Sequence, residues 1–325
     1  MTRLVCDIGG THLRVALVEG QELVAPEKFP VADFESPDSA LLHYLDSHNR
    51  PPVPCRVAIA CAANDDGTGV YRFTNNPDWT ITPSLLAKAG WEVERVAHDF
   101  CASAWGSTVI GANGAALVRP GRPDAALPRA ILGPGTGLGL AYVFPLRPHK
   151  QQGGHHVQMT HGGHMLSLVL SDEHFLIVEL IRRIKGDAYT IIPENMCSGR
   201  GLPLLYRAVC NAYGYDPAYE TPAAMLDHPG DPAVRETLRL FHEFLGLFAH
   251  QAVLTANAFG GLYLDGGVLH HLRDRNLFDK KTFIDFMTLN PVPVVRASLD
   301  RCPVYLVTDP FIALRGLLAM EKEKA

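Results

Sequence analysis

Apolar and polar positions along the chain lay out one design twice. Near the start an apolar run, Leu4-Val5-Cys6, passes through Asp7-Ile8 into Gly9-Gly10-Thr11, and a second apolar run over 13–18 begins at once. Two antiparallel strands joined by a tight glycine turn are the natural reading. The plan returns at Ala130-Ile131-Leu132, the turn Gly133-Pro134-Gly135-Thr136-Gly137-Leu138-Gly139 and the run 140–144. Over 258–268 a further strand is closed by a third glycine turn, Gly266-Gly267. Short continuous apolar runs at 57–62, 93–96 and 304–307 read as strands covered on both faces.

Between these runs the spacing turns helical. Leu41, Leu42, Tyr44 and Leu45 mark a helix over 38–48 that Pro51-Pro52 stops, and shorter helices are expected over 83–88 and 102–110. Ser171 caps a helix carrying Leu176, Ile177, Leu180, Ile181 and Ile184, and another carries Leu202, Leu205, Tyr206 and Val209. A long helix has Leu238, Phe241, Leu245, Phe248 and Ala252 on one face, and Asp309-Pro310 opens a further one through Leu314, Leu317 and Leu318. Residues 73–79, 119–129 and 149–164 read as irregular connections. Strands alternating with helices in this way indicate an α/β fold.

A chain of 325 residues, 47% hydrophobic, with 29 glycines and 24 prolines, suits two domains better than one. A formal net charge of −5 leaves no basic surplus for a phosphate backbone, so no nucleic-acid partner is expected. The seven cysteines include no C-x-x-C pair and lie mostly in apolar surroundings, as reduced core residues of a cytoplasmic protein do. Asp7 and the glycines interrupt the first apolar run before it reaches the length of a signal peptide. Segments 130–146 and 245–264 lack Asp, Glu, Lys and Arg, yet glycine turns and His250, Gln251 and Asn257 break them, so buried strand and helix explain them without a membrane.

Candidate chemistry gathers at the turns. Glycines let the backbone approach an anion, Thr11 and Thr136 add hydroxyls, and Asp7 is the kind of residue that holds magnesium directly or through water. Two such turns can clamp a polyphosphate. Neither is a Walker loop, because no Lys follows, and neither opens a helix in the G-x-G-x-x-G manner. Asp99 ends a strand and heads a helix, the place where open α/β sheets put their chemistry. It is a candidate general base and is expected to be the N-cap of that helix as well. The loop carrying Asn75 and Asn76 could bond sugar hydroxyls or make Asx turns. His155, His156, His161 and His164 are close in sequence, but neither Cys nor carboxylate joins them and no helical spacing relates them, so a zinc site is not expected.

Three glycine turns in this order, with an acid between the first and second, make the chain similar to the sugar kinase/actin ATPase fold, and in detail it resembles the bacterial glucokinase family. The resemblance runs through nearly the whole chain. It implies a two-domain ribonuclease H-like α/β fold, a small domain of 1–107 plus 309–325 and a large one of 108–308, with the active site in the cleft between them. It implies ATP and Mg2+ as cofactors, phosphates held by Gly9, Gly10, Thr11, Gly135, Thr136 and Gly137, Asp7 in the outer shell of magnesium, and Gly266 and Gly267 beside the adenosine. By the same resemblance Asn75, Asn76, His98, His161, His164 and Glu194 bind the sugar and Asp99 takes the proton of its 6-hydroxyl. A homodimer is the family expectation. Two positions depart from the family pattern: His98 replaces an Asn before the catalytic Asp, and His161 replaces the Glu of a Glu-Gly-Gly-His turn. They open two alternatives, a kinase for another sugar or polyol and a catalytically silent sugar-sensing homologue.

Overall fold

The computed structural model of the chain describes residues 2–51, 55–61, 63–65, 70–73, 79–82, 86–87, 90–146, 154–186 and 190–320. The chain divides into two compact units, Met1–Ala115 with Asp309–Ala325, and Ala116–Thr308. Residues 108–115 cluster with the first unit, where Asp309 N donates to Gly114 O at 3.2 Å.

The first unit begins with the hairpin β1 (Thr2–Ile8) and β2 (His12–Glu19), paired antiparallel with Asp7 opposite Arg14. Next come β3 (Glu22–Pro30), α1 (Pro37–Ser47) and β4 (Cys55–Cys61). Strands β5 (Ala63–Asp65), β6 (Tyr71–Phe73) and β7 (Thr80–Ile81) form a small separate sheet. Then β8 (Trp91–His98) runs directly into α2 (Asp99–Gly106). The main sheet has the order β3-β2-β1-β4-β8, with β1, β4 and β8 parallel. Residues Leu4, Cys6 and Ile8 point to one face, under Leu41, Tyr44 and Leu45 of α1. Val5, Ala16, Ala58 and Ala60 point to the other, under Ala102 of α2 and Leu314 and Leu317 of the returning helix Ile312–Ala319. That two-sided cover is why these strands read as continuous apolar runs. The returning helix lies very close to α2. A Cβ on Gly106 would come 2.2 Å from Ile312 O, and one on Gly316 would come 1.7 Å from Ala102 O.

The second unit repeats the plan. After β9 (Ala115–Arg119) come the hairpin β10 (Arg129–Pro134) and β11 (Leu138–Pro145), then β12 (His155–Thr160). Helices α3 (Asp172–Lys185), α4 (Gly201–Tyr213), α5 (Pro222–Leu226) and α6 (Pro232–Thr255) precede β13 (Gly261–Leu264). The unit ends with α7 (Gly267–Asp274), α8 (Lys280–Met287), α9 (Pro293–Arg301) and β14 (Val304–Val307). Its sheet order is β12-β11-β10-β13-β14-β9, with β10, β13 and β14 parallel. Leu132, Leu140, Leu262, Leu264, Val304 and Leu306 pack with Ile177, Leu205, Phe241 and Phe248 of the helices in one core.

Several expectations are corrected. Residues 155–160 of the supposed irregular segment are a strand, β12, hydrogen-bonded along β11. The helix expected over 102–110 starts at Asp99 and ends at Gly106. The third glycine turn opens a helix, α7, because β13 pairs in parallel and a parallel strand needs a crossover after it. The charge-poor segments 130–146 and 245–264 belong to the buried elements β10, β11, α6 and β13, and among the described residues no helix is long and apolar enough to cross a membrane. Most of the helix expected over 83–88 lies outside the described residues.

Candidate active site

In the first unit the register sets Ile8, Cys61 and His98 side by side at the carboxyl edge of β1, β4 and β8. The Gly9-Gly10-Thr11 turn and Asp99 therefore leave the sheet at the same edge, two strands or about 10 Å apart. Gly9 N donates to His12 O at 3.0 Å, closing the turn, and a Cβ on Gly9 would press on that oxygen at 3.2 Å. Thr11 O accepts from Val31 N, and its side chain is exposed. Asp7 is buried beneath the turn, and its Oδ2 accepts from Arg14 Nη1 at 2.9 Å. Arg14 Nε is buried without a hydrogen-bond partner among the described residues.

Asp99 is the first helical residue of α2, and the N-cap is His98, whose Nδ1 accepts from Phe100 N at 3.2 Å. The expected cap is thus corrected by one position. Asp99 Oδ1 also accepts from Phe100 N, at 2.6 Å, and lies 2.9 Å from His98 Nδ1. The Phe100 amide fixes one carboxylate oxygen, and both side chains stay about one-third exposed. Asn75 and Asn76 lie outside the described residues.

In the second unit four segments meet. The turn 135–137 closes on itself through Gly135 N to Gly137 O at 2.8 Å. Its flank is held by Gly199 N donating to Gly135 O at 2.8 Å and Arg200 N donating to Thr136 O at 3.4 Å. Leu138 N donates to Glu194 Oε2 at 2.8 Å, and Glu194 Oε1 faces His164 Nε2 at 4.0 Å. His161 precedes the short 3-10 turn Gly162–His164, its ring 6.2 Å from that of His164 in an edge-to-face arrangement. Gly266, at φ 104°, lies under Pro134, where a Cβ would be 2.6 Å from its carbonyl oxygen. Beside Gly135 and Gly267 a Cβ would meet nothing within 4 Å, which leaves backbone open to a ligand.

Sequence reasoning passed over Arg14, Ser198 and Asp265. Arg14 was within reach, since residues equidistant from a hairpin's centre are partners and Asp7 and Arg14 are equidistant from the Gly10-Thr11 bond. Ser198 Oγ donates to Glu194 O at 2.7 Å and accepts from Gly201 N at 2.9 Å, so it sets the backbone that carries Glu194. Asp265 follows β13, buried, 3.3 Å from His270 Nε2.

The donor set fits magnesium in one way. Asp7 has an oxygen committed to a guanidinium, which suits a carboxylate that bonds coordinated water better than one that binds the ion directly. Among the described residues no group of three or more His, Cys, Asp or Glu is arranged to hold a metal, the four histidines at 155–164 included. An ion brought by substrate phosphates, keeping its waters, is magnesium's usual habit.

Two copies of one sheet plan, each with a glycine–threonine turn on its first hairpin, and a carboxylate at the carboxyl edge, define an ATP-dependent sugar kinase of the actin ATPase-like fold. The family model described as Glucokinase matches residues 4–324. The chain belongs to the glucokinase family. A glucokinase of Pseudomonas paraeruginosa is 35% identical over 84% of this chain and 79% of its own length. One of Paramagnetospirillum magneticum is 30% identical over 98% of both chains. A crystal structure of a glucokinase from an Antarctic psychrotroph superposes with a TM-score of 0.77 at 26% identity, covering 99% of each chain. With these relatives, the alternatives opened by His98 and His161, another acceptor or a silent homologue, are not favoured.

Proposed function

We propose that the chain transfers the γ-phosphoryl group of ATP to the 6-hydroxyl of glucose, with Asp99 as the general base. The observation that carries this reading is Asp99 at the head of α2, one oxygen tied to Phe100 N, on the same sheet edge as the 9–11 turn. Its other oxygen orients the attacking hydroxyl. In a loose phosphoryl-transfer transition state little proton movement is needed early, so the carboxylate positions the nucleophile first and accepts its proton as the new P–O bond forms. Backbone amides of Gly10 and Gly137, with the Thr11 and Thr136 hydroxyls, hold the phosphates, Gly9 and Gly135 shape the turns by using their N–H groups within them, and Gly267 leaves room beside the adenosine. Asp7 would hold magnesium through water, and the ion, when bound with the nucleotide, would supply charge neutralisation to the phosphates. Arg14 keeps Asp7 in place, and its unsatisfied Nε offers a further donor to that water shell.

On the sugar side, Glu194 and His164 read ring hydroxyls, with His98 and His161 as neighbouring donors and the Asn75-Asn76 loop completing the set. A cytoplasmic location is supported by seven free cysteines. A homodimer is supported by the exposed apolar side chains of Leu166, Leu168, Leu170, Phe175 and Leu176.

The test is ADP release with Mg-ATP and glucose, for the wild type and Asp99→Asn. The variant should lose at least about 10²-fold in kcat, the contribution of a positioned base. Its circular-dichroism spectrum should stay unchanged. Turnover retained in the variant would remove Asp99 from the mechanism.

A further inference from the structure

Glu194 touches two loops that a kinase uses for different ligands. One oxygen accepts from Leu138 N, at the end of the phosphate turn, and the other faces His164 of the sugar turn. The side of the carboxylate toward the phosphate turn is packed. A Cβ on Gly137 would lie 2.6 Å from Glu194 Oε2 and 3.3 Å from its Cδ. A Cβ on Gly163 would lie 2.2 Å from Leu138 O, and one on Gly201 would lie 2.5 Å from Glu194 O. The glutamate backbone is also fixed, by Ser198 Oγ on its carbonyl oxygen. Three loops, 135–138, 162–164 and 193–201, thus meet around one carboxylate with no room for an added methyl group at 137, 163 or 201.

We infer that Glu194 is a positioning strut that couples sugar binding to the phosphate turn, and that position 137 is glycine because the carboxylate occupies the space of its side chain. The inference rests on the reading that glucose is the acceptor. A sugar hydroxyl bonded to Oε1 fixes the carboxylate plane and with it the Leu138 N–H bond at Oε2, and a nucleotide that fixes the turn does the reverse. Such coupling is reciprocal between the two ligands. Its signature is that a substitution inside the phosphate turn changes the affinity for sugar when no nucleotide is present.

Calorimetric titrations of glucose alone, and of a non-hydrolysable ATP analogue alone, into the wild type and three variants test this. Gly137→Ala displaces the carboxylate and should weaken glucose about tenfold or more, within the range of ordinary coupling factors. Thr136→Ala alters a phosphate ligand without touching Glu194, so it should weaken the ATP analogue and leave glucose affinity within about twofold. Glu194→Asp keeps the charge but is too short to span from Leu138 N to His164, so it should weaken the ATP analogue even without sugar. Gly137→Ala binding glucose as the wild type does would overturn the inference. Should that variant lose its cooperative melting transition, Glu194→Asp decides, and an unchanged affinity for the ATP analogue overturns it. A wild type that binds the ATP analogue but no glucose would instead remove the reading on which the inference rests.

Discussion

At His98 and Asp99 two neighbouring residues exchanged the places that propensity alone gives them. Asp is a better N-cap than His, yet the imidazole caps α2 and the carboxylate takes the first helical position. The exchange keeps Asp99 tied to the helix through Phe100 N. Cysteines at this scale carry a different message. All seven are free, six are buried, and Cys101 in α2 is partly exposed. Burial pushes the Cys55 thiol up to about 11 and Cys302 up to about 12, and it raises Cys101 too. A native-state titration with a disulfide reagent at pH 7 should therefore find Cys101 reacting slowly and the others silent, with all seven reacting in denaturant. More than one rapidly reacting thiol in the folded protein would contradict the burial described. The places of Asp7, the 9–11 and 135–137 turns and Asp99 in the fold were legible from residue type and spacing, because a turn's geometry is local. The cap was not, since the choice between two adjacent capping residues depends on where β8 stops pairing with β4.

Between elements, the closest contact described is α2 against the returning helix. Replacing Gly316 by Ala would gain about 1 kcal/mol of helix propensity. The new methyl would sit 1.7 Å from a backbone oxygen, which cannot turn away as a side-chain tip can. Overpacking of this kind costs about 1–3 kcal/mol or more, so the clash wins. Thermal melting should show Gly316→Ala less stable, with reduced kcat because α2 carries Asp99.

A second link joins α6 to the start of α8. His242 Nδ1 donates to Leu238 O at 2.6 Å and Nε2 accepts from Asp279 N at 3.1 Å, which requires a neutral ring. Burial accordingly holds its pKa below the ordinary 6.5. The unfolded chain then takes up a proton near pH 6.5 that the folded chain refuses. Stability should be flat above pH 7 and fall as pH drops below 6.5, by up to about 1.4 kcal/mol per pH unit. Melting curves from pH 5 to 8 should show that slope reduced in His242→Gln, and parallel curves for the two proteins would count against it. Helices with capping residues and apolar stripes were readable, as α1, α3 and α6 show. Edge strands were not: β3 and β12 are half-solvated and carry Glu, Lys, His or Gln at exposed positions, so they lack the continuous apolar run that marked β1, β4 and β10.

For the whole molecule, the sheet orders β3-β2-β1-β4-β8 and β12-β11-β10-β13-β14 are one plan used twice. The two turns that looked alike in sequence occupy equivalent hairpins. The third had to differ, because it follows a parallel strand. In the proposed reaction magnesium arrives with the nucleotide. Chelation with EDTA should abolish ADP release and leave the melting temperature where it was, and a large drop in melting temperature would reveal a resident structural ion.

The packing of Gly316 on α2 has a consequence for biosynthesis. A ribosome makes the helix that carries Asp99 early, then all of Ala116–Thr308, and only afterwards the helix Ile312–Ala319 that covers it. Throughout that interval Ala102 and its neighbours lack their apolar cover. The nascent chain thus emerges with its proposed base on an unsupported helix, and it gains the power to consume ATP only when translation has passed the segment that completes the first unit.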